Sequence, residues 1–245
     1  MSADLKIQLD KAHKDLAALK AEYDEFVYIV SHDLSGPLRQ IEGFAEIVVS
    51  KHVDSFDDKT KHHFELIQGG SNQAKLIIEA LRNYSRLNTM VQPFTVINLS
   101  EVVATVQNKL LAEFNNNNIT FSVDNLPIIV GEEKQISQVF EHLIHNALLY
   151  QAPERACHIS ICSIEHVDSW QFCLTDNGMG VAEKMQEKIF KVLKRGVSGK
   201  KFPGIGMGLA IVKKVLQFHQ GHIWVESTEN GSTFNFTIAK DLADE

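Results

Sequence analysis

Four features are scarce or missing in this sequence of 245 residues: cysteine, an excess of positive charge, long apolar runs and a P-loop motif. The three cysteines, Cys157, Cys162 and Cys173, form no C-x-x-C pair and are odd in number, which fits small apolar side chains in a reducing compartment. The formal net charge is −7, and no basic stripe carries interleaved aromatic residues. This balance argues against nucleic acid as a partner.

No apolar run approaches the roughly 18 residues that a membrane-spanning helix needs, and no signal peptide opens the chain. We therefore expect no direct membrane segment and a cytoplasmic location. The motif G-x-x-x-x-G-K-[ST] is absent, which argues against a P-loop enzyme. With 44% hydrophobic residues, the chain has material for one large or two modest domains.

The first thirty residues carry apolar side chains at alternating steps of four and three. These are Leu5, Leu9, Ala12, Leu16, Leu19, Tyr23, Phe26 and Val30. The repeat predicts a coiled-coil linker over residues 1–24, most simply a parallel dimer, with a plain amphipathic helix as the alternative.

The helical periodicity continues from this linker into residues 25–90. A stripe at steps of four and three predicts a bundle face; it consists of Val30, Leu34, Pro37, Ile41, Phe44 and Val48. His32 lies about 160° from the centre of this stripe and so points into solvent, beside Asp33. A second stripe follows, formed by Phe64, Ile67, Ser71, Ala74, Ile78, Leu81 and Ser85. Two such helices predict an antiparallel hairpin, and two hairpins form a dimeric four-helix bundle.

Pro93 marks a predicted linker over residues 91–97, and the periodicity changes beyond it. Helical and strand-like segments then alternate over residues 98–240, with a short tail at 241–245. Their order predicts a mixed, mostly antiparallel sheet covered by helices, which is a two-layer α/β sandwich. The expected fold class is therefore α+β, with the helical hairpin first and the sandwich second.

Two motifs in the second domain place a polar side chain beside other residues that can contact a bound ligand. Asn146 lies on a predicted helix with His142 and Tyr150 four residues to either side, so the three share one face. Asp176 follows a strand, where its carboxylate can accept from an adenine amino group. Gly178 and Gly180, two and four residues further on, would let the backbone approach the base.

Two further motifs offer groups that suit phosphates. Residues 189–195 predict a short helix with a cationic end at Arg195. Gly204, Gly206 and Gly208 form a glycine loop that opens directly into a helix, where free amides and the positive end of the helix dipole favour anions.

Together these segments resemble a known family. Residues 31–39, Ser-His-Asp-Leu-Ser-Gly-Pro-Leu-Arg, resemble the H-box of sensor histidine kinases, with some similarity to the phytochrome-linked subgroup. The other four motifs resemble, in the family's order, the N-box, first glycine box, F-box and second glycine box of its ATP-binding domain. The likeness covers roughly residues 20–240, and five motifs in one order make it highly specific.

The resemblance implies a two-component sensor histidine kinase core. In such a core, His32 is phosphorylated from Mg-ATP, Asp33 acts as base or orienter, and the phosphoryl group passes to an aspartate of a response regulator. The implied cofactors are ATP and Mg²⁺. The implied partners are a second copy in a homodimer, the receiver domain of a response regulator and an upstream sensor module.

The resemblance also implies roles for single residues. Asn146, with His142 as a second candidate, would coordinate Mg²⁺; Asp176 would bind adenine; and Arg195 would reach the γ-phosphate. The implied nucleotide contacts are Asn146, Tyr150, Asp176, Gly178, Gly180, Gly204, Gly206 and Gly208. Weaker phosphate candidates are Lys194, Lys200 and Lys201.

Four positions depart from the family pattern: His142 and Leu149 in the N-box, Leu193 in the F-box, and Gly36, where Thr or Asn commonly orients water for dephosphorylation. Gly36 predicts weak or absent phosphatase activity. His142 and Leu149 favour an alternative, a catalytically weakened dimeric nucleotide-binding scaffold that regulates a partner kinase or receiver by binding. An ATPase of the chaperone or mismatch-repair kind is a second alternative, against which the H-box hairpin argues.

Overall fold

The computed structural model describes residues 3–87, 92–114, 118–196 and 204–242. It divides the chain into two compact units, residues 1–90 and 91–245. Several sequence predictions fall outside the described part: those for the side chains of Leu5 and Leu9, linker residue 91, Lys200, Lys201 and tail residues 243–245.

The first unit is the predicted helical hairpin. Helix α1 (Ala3–His52) and helix α2 (Asp58–Arg86) are joined by a 3₁₀ turn at Val53–Ser55. Helix α2 begins where the Asp57 carboxylate accepts a hydrogen bond of 2.8 Å from the Thr60 amide. Hydrogen bonding by the Thr60 side chain, and secondly by this amide, lowers the pKa of Asp57. Neither of these helices, nor any other in the described ranges, is both long and apolar enough to cross a membrane.

The face of α1 that packs on α2 is formed by small or modest side chains. Val27, Ser31 and Ala45 are buried there, with Ser31 only 1% exposed. The predicted stripe lies about 80° further round the helix, since each residue advances about 100°. Within that stripe Phe44 is 69% exposed and Ile41 is 49% exposed. The single chain therefore leaves most of its large apolar α1 side chains uncovered.

The second unit is the predicted mixed α/β domain. Its elements are β1 (Thr95–Asn98), α3 (Leu99–Phe114), β2 (Ile119–Val123), β3 (Ile128–Gly131), α4 (Glu133–Leu149), β4 (Cys157–Glu165), β5 (Ser169–Asp176), α5 (Glu183–Gln186), α6 (Gly208–Phe218), β6 (Ile223–Thr228) and β7 (Gly231–Ala239). Five strands form one sheet in the order β2-β4-β5-β7-β6, parallel only between β2 and β4. Helices α4 and α6 pack on this sheet and α3 packs on α4.

An aromatic cluster fixes α4 on the sheet. Phe140 of α4 contacts Phe172 of β5 and Phe236 of β7, with ring centroids 6.2 and 5.7 Å away. The two sheet residues stack on each other at 5.1 Å, and all three side chains are fully buried. Burial of three such rings makes this the centre of the core.

Residues 95–97, which the sequence assigned to the linker, belong to strand β1. Val96 pairs with Val130 and Ile97 with Ile129 in a separate two-stranded antiparallel sheet. A four-residue segment with two apolar side chains is too short for periodicity to identify it as a strand. Leu242, predicted to lie in the tail, is buried.

The short helix predicted at residues 189–195 is wrong. The helix in this region is α5, and the chain then continues in turns. Leu193 has φ of 59°, a left-handed conformation that a right-handed helix cannot contain. The amides of Lys191 and Lys194 bond to carbonyls three residues back, at 3.1 and 3.2 Å, as in successive tight turns.

All three cysteines are free thiols. Cys157 is buried, and that burial raises the pKa of its thiol to about 11. Cys162 and Cys173, eleven positions apart in the sequence, lie opposite each other across β4 and β5.

His219 joins the end of α6 to the start of α4 and is completely buried. Its Nε2 accepts a hydrogen bond of 3.0 Å from the Glu132 amide, and its Nδ1 lies 2.8 Å from the Val215 carbonyl. The proton therefore resides on Nδ1, since a carbonyl can only accept. Burial lowers the pKa of His219 and keeps the ring neutral.

We expect His219→Ala to lower the free energy of unfolding of the second unit by about 2–4 kcal/mol, because it leaves a cavity and a buried amide without a partner. The folded pKa lies below the unfolded value of 6.5, so the unfolded state binds more protons as the pH falls below about 6.5. Wild-type stability should decline in that window, and the decline should be shallower in the variant.

Urea titrations followed by tryptophan fluorescence measure this, since Trp170 and Trp224, the only two tryptophans, both lie in the second unit. His166→Ala is the matched control, because the His166 side chain is exposed and its one hydrogen bond among the described residues is to Gln171 in the adjoining strand. If the free energy of unfolding changed equally with pH in the wild type and in His219→Ala, a lowered pKa of His219 would be contradicted.

Candidate functional site

His32 projects from α1 into solvent, with a side chain that is 72% exposed. It follows directly after Ser31, which is buried against α2, and one residue turns the helix by about 100°. Its Nδ1 lies 3.1 Å from Oδ1 of Asp33. An ionised carboxylate only accepts, so Nδ1 carries the proton and the lone pair of Nε2 is free to react.

The second group of predicted residues lies along one face of α4. His142, Asn146 and Tyr150 are spaced by one turn each, and from first to last they span about 12 Å of helix rise. Asn146 is half-buried at the middle of this face. The aromatic cluster around Phe140 packs on the sheet and so sets the direction in which the face points.

The loop after β5 lies against the Tyr150 end of this face. The Gly178 amide donates to Oδ1 of Asp176 at 2.8 Å, and the Met179 amide donates to the Tyr150 carbonyl at 3.1 Å. A Cβ atom on Gly178 would lie 2.6 Å from the same carbonyl. Only glycine permits this approach, so the structure brings Asp176, Gly178 and Tyr150 together.

Asp176 is 8% exposed, and burial raises the pKa of its carboxyl, an effect opposed by hydrogen bonds from the Gly178 and Ser232 backbone. Gly180 has φ of 70° and lies so close to the Thr228 carbonyl that a Cβ would clash. Close by, the Val181 amide donates to Ser227 Oγ at 2.7 Å. The loop is thus fixed to the end of β6.

Arg155 is a residue of this site that the sequence did not reveal. Its guanidinium donates to the Gly178 carbonyl at 3.1 Å and to the Glu229 carbonyl at 3.4 Å. These bonds tie the loop after β5 to the turn between β6 and β7. A single arginine in a polar loop has no local signature, so only the folded chain shows this positioning role.

Helix α6 begins at the His142 end of the α4 face. A Cβ on Gly208, its first residue, would lie 3.2 Å from His142 Nδ1. Burial lowers the pKa of His142 to about 4, so the ring is neutral at pH 7. Its Nε2 is buried without a hydrogen-bond partner among the described residues. Met207 provides no side-chain cap, which leaves the first amides of α6 available to an anion.

The glycine loop also lies next to the segment that carries Arg195. Gly206 has φ of 75°, and a Cβ there would lie 2.6 Å from the Lys194 carbonyl. Gly204 has φ of 124° with open space around it. Both conformations favour glycine.

These residues fit a nucleotide better than they fit a metal cage. A buried acceptor at one end of the α4 face and free amides at the other suit a base and phosphates. The described residues contain no group of three or more His, Cys, Asp or Glu side chains that could hold a metal ion. Mg²⁺ prefers oxygen ligands, so the Asn146 amide oxygen suits it and the His142 imidazole suits it poorly.

Two family models match the chain. The model described as "His Kinase A (phospho-acceptor) domain" matches residues 22–89. The model described as "Histidine kinase-, DNA gyrase B-, and HSP90-like ATPase" matches residues 131–242.

Among curated relatives, Phytochrome-like protein Cph1 of Synechocystis is 30% identical over 232 residues, which cover 94% of this chain and 31% of the relative. Adaptive-response sensory kinase SasA of Synechocystis is 28% identical over 88% of this chain and 58% of the relative. The chain spans about a third of the length of the phytochromes that it matches.

Solved structures show the same folds. The catalytic domain of histidine kinase ThkA matches with a TM-score of 0.52 and 28% identity, over 61% of this chain and 99% of that domain. Full-length ShkA in complex with AMPPNP matches with a TM-score of 0.63 over 89% of this chain and 47% of ShkA; at 19% identity this likeness shows the fold alone.

Gly178→Ala should weaken ATP binding by about tenfold or more, because the added Cβ would force the loop that carries Asp176 away from Tyr150; about 1.4 kcal/mol of lost binding energy corresponds to tenfold. Titration with a fluorescent ATP analogue measures the change. Gly69→Ala is the control, since Gly69 is an exposed residue of α2 in the first unit and a Cβ there has no described atom within 4 Å. Unchanged affinity in Gly178→Ala would show that this loop does not border the nucleotide.

Proposed function

The chain belongs to the histidine kinase family, and we propose that it is a two-component sensor kinase core in which His32 is phosphorylated from ATP. The phosphoryl group then passes to an aspartate on the receiver domain of a response regulator. The observation that carries the proposal is the geometry of His32, which is exposed to solvent with Nδ1 held by Asp33. Phosphotransfer is assigned to residues 25–90 and nucleotide binding to the domain that begins at β1.

In the proposed reaction, Nε2 of neutral His32 attacks the γ-phosphorus of ATP. A bond forms between nitrogen and phosphorus, and the bond from the γ-phosphorus to the β,γ-bridging oxygen breaks, releasing ADP. Asp33 keeps the proton on Nδ1 and can accept it as positive charge develops on the ring. The protein contributes mainly alignment and neutralisation of charge, which is what phosphoryl transfer requires.

The roles proposed at the nucleotide follow the arrangement along α4. Asp176 accepts from the adenine amino group, and the first turn of α6 with Gly204, Gly206 and Gly208 holds the phosphates. Asn146, midway, would contribute an oxygen to Mg²⁺, and the ion would neutralise charge on the phosphates. Arg195 is proposed to reach the γ-phosphate, supported by the contact between Gly206 and the neighbouring Lys194.

The exposed apolar stripe supports a homodimer. Phe44, Ile41 and Leu34 lie on one face of α1 and are 69%, 49% and 48% exposed in the single chain. A contiguous apolar surface of this kind marks an interaction site. A second hairpin would bury it and complete a four-helix bundle.

Phe44→Asp should convert the dimer into a monomer at micromolar concentration, because it places an unpaired charge in the proposed interface. The monomer itself loses little, since Phe44 is exposed there. Light scattering coupled to gel filtration measures the mass. Ser50→Asp, which adds the same charge at an exposed position of the same helix about 160° from the centre of the stripe, should remain dimeric. A monomeric wild type would contradict the dimer.

The second candidate is the nucleotide-binding scaffold that has lost turnover. The poor fit of His142 to Mg²⁺ favours it, since this position then supplies no oxygen ligand. The scaffold would bind ATP without incorporating phosphate. Phosphate incorporation therefore separates the two functions.

His32→Gln should abolish incorporation of label from γ-labelled ATP, while the affinity for ATP stays unchanged, because the substitution removes only the nucleophile. The label on the wild type should be acid-labile and base-stable, as a phosphoramidate is. His62→Gln, an exposed histidine near the start of α2, should label normally. Incorporation that persists in His32→Gln would place the acceptor elsewhere, and none in the wild type would favour the scaffold.

A further inference from the structure

A groove within the first unit lies directly beside His32. It has a volume of about 450 Å³ and is bordered by α1 on one side and α2 on the other. The lining residues that determine its charge and shape are His32, Gly36, Arg39, Lys75, Glu79 and Arg82. On each helix the lining residues follow steps of three or four, so each helix presents one face to the groove.

The groove is positively charged. Arg39, Lys75 and Arg82 contribute three cations, against one carboxylate from Glu79. Lys75 is partly neutralised by Glu42, 3.8 Å away and outside the groove. Neither arginine takes part in an ion pair of the described first unit. The surplus of charge therefore belongs mainly to the arginines.

The Nε atom of Arg82 is the strongest indication that the groove binds a ligand. This atom is buried and has no hydrogen-bond partner among the described residues. A buried polar atom without a partner is costly, and such an atom in a native fold needs an explanation. Arg82 also lines the groove, so a rotation of its side chain would bring the guanidinium to the acceptor oxygens of a ligand there and give Nε a partner.

We propose that this groove, the His32 groove, binds the phosphoryl group carried by His32, with Arg82 as its main ligand and Arg39 and Lys75 as supporting cations. The inference rests on the proposed phosphorylation of His32. A phosphoryl group brings close to two negative charges and three acceptor oxygens. The planar guanidinium of arginine matches two of those oxygens at once.

The orientation of His32 agrees with this role. Asp33 faces Nδ1 at 3.1 Å, so the phosphoryl group belongs on Nε2, away from that carboxylate. Gly36, one turn along α1, has no atom within 4 Å of where a Cβ would lie, which leaves open space next to the ring. The groove would hold the phosphoryl dianion between its arrival from ATP and its departure.

The test uses chemically phosphorylated protein. Phosphoramidate transfers its phosphoryl group to histidine without ATP, so the groove is tested even if the kinase reaction fails. The His32 signal is identified by ³¹P NMR as the resonance missing from identically treated His32→Gln. Nearby cations favour the dianion, so removing Arg82 should move the titration midpoint of this resonance upward, by about one pH unit in Arg82→Gln.

Three variants complete the experiment. Arg82→Lys keeps the charge, so the titration midpoint should stay close to the wild-type value. Lys61→Gln removes an exposed cation near the start of α2, outside the groove, and should leave the midpoint unchanged. Arg82→Gln should fold, because Gln keeps the side-chain carbons as far as Cδ and is a good helix former. If circular dichroism shows lost helix, Arg39→Gln tests the same groove.

The outcomes separate the two proposals. A midpoint that does not move in Arg82→Gln, or in Arg39→Gln if Arg82→Gln does not fold, overturns the groove, whatever ATP does. A shifted midpoint in protein that ATP cannot label supports the groove and contradicts the proposed kinase reaction. Labelling by ATP with an unchanged midpoint supports the proposed kinase reaction and contradicts the groove.

Discussion

The packing of Phe140 against Phe172 and Phe236 is the constraint on which the second unit depends. These rings are fully buried, and a close-packed aromatic cluster allows α4 only one rotation about its axis. That rotation sets the direction of His142, Asn146 and Tyr150, to which the loop after β5 and the first turn of α6 are then fitted. The candidate nucleotide site is therefore a consequence of how one helix is anchored in the core.

Desolvation divides the polar groups of this chain into two kinds. His142 and Asp176 are buried, and burial lowers the pKa of His142 and raises the pKa of Asp176, which favours the uncharged form of each. They are fixed in place by neighbours that glycines allow to come close. His32 is instead exposed to water, with Asp33 as the hydrogen-bond partner of its Nδ1 among the described residues. This division suits the proposed roles, because a nucleophile must be reached by its partner, whereas groups that recognise a ligand gain from being rigid and shielded from water.

In the first unit, the residues that form the contact between the two helices are not the large apolar residues. Its intrachain contact is built on small residues such as Ser31, Ala45 and Ser71, which let the helices approach closely. Large side chains such as Phe44 remain outside, so the isolated hairpin buries little apolar surface. Its stability must then draw on another surface, which is the physical basis for proposing a dimer. The same hairpin also brings Arg82 into the groove beside His32.

The sequence by itself determined what local patterns encode: the two helices of the hairpin, the strands and helices around Asn146 and Asp176, and the exposure of His32. These depend on spacing of a few residues and on backbone conformation, which the order of residues specifies directly. Only the tertiary structure decided which face of α1 meets α2, that residues 95–97 pair with β3, that residues 189–195 are not helical, and that Arg155 holds the loop after β5. Each of these depends on partners distant in sequence, whose contacts override local propensity.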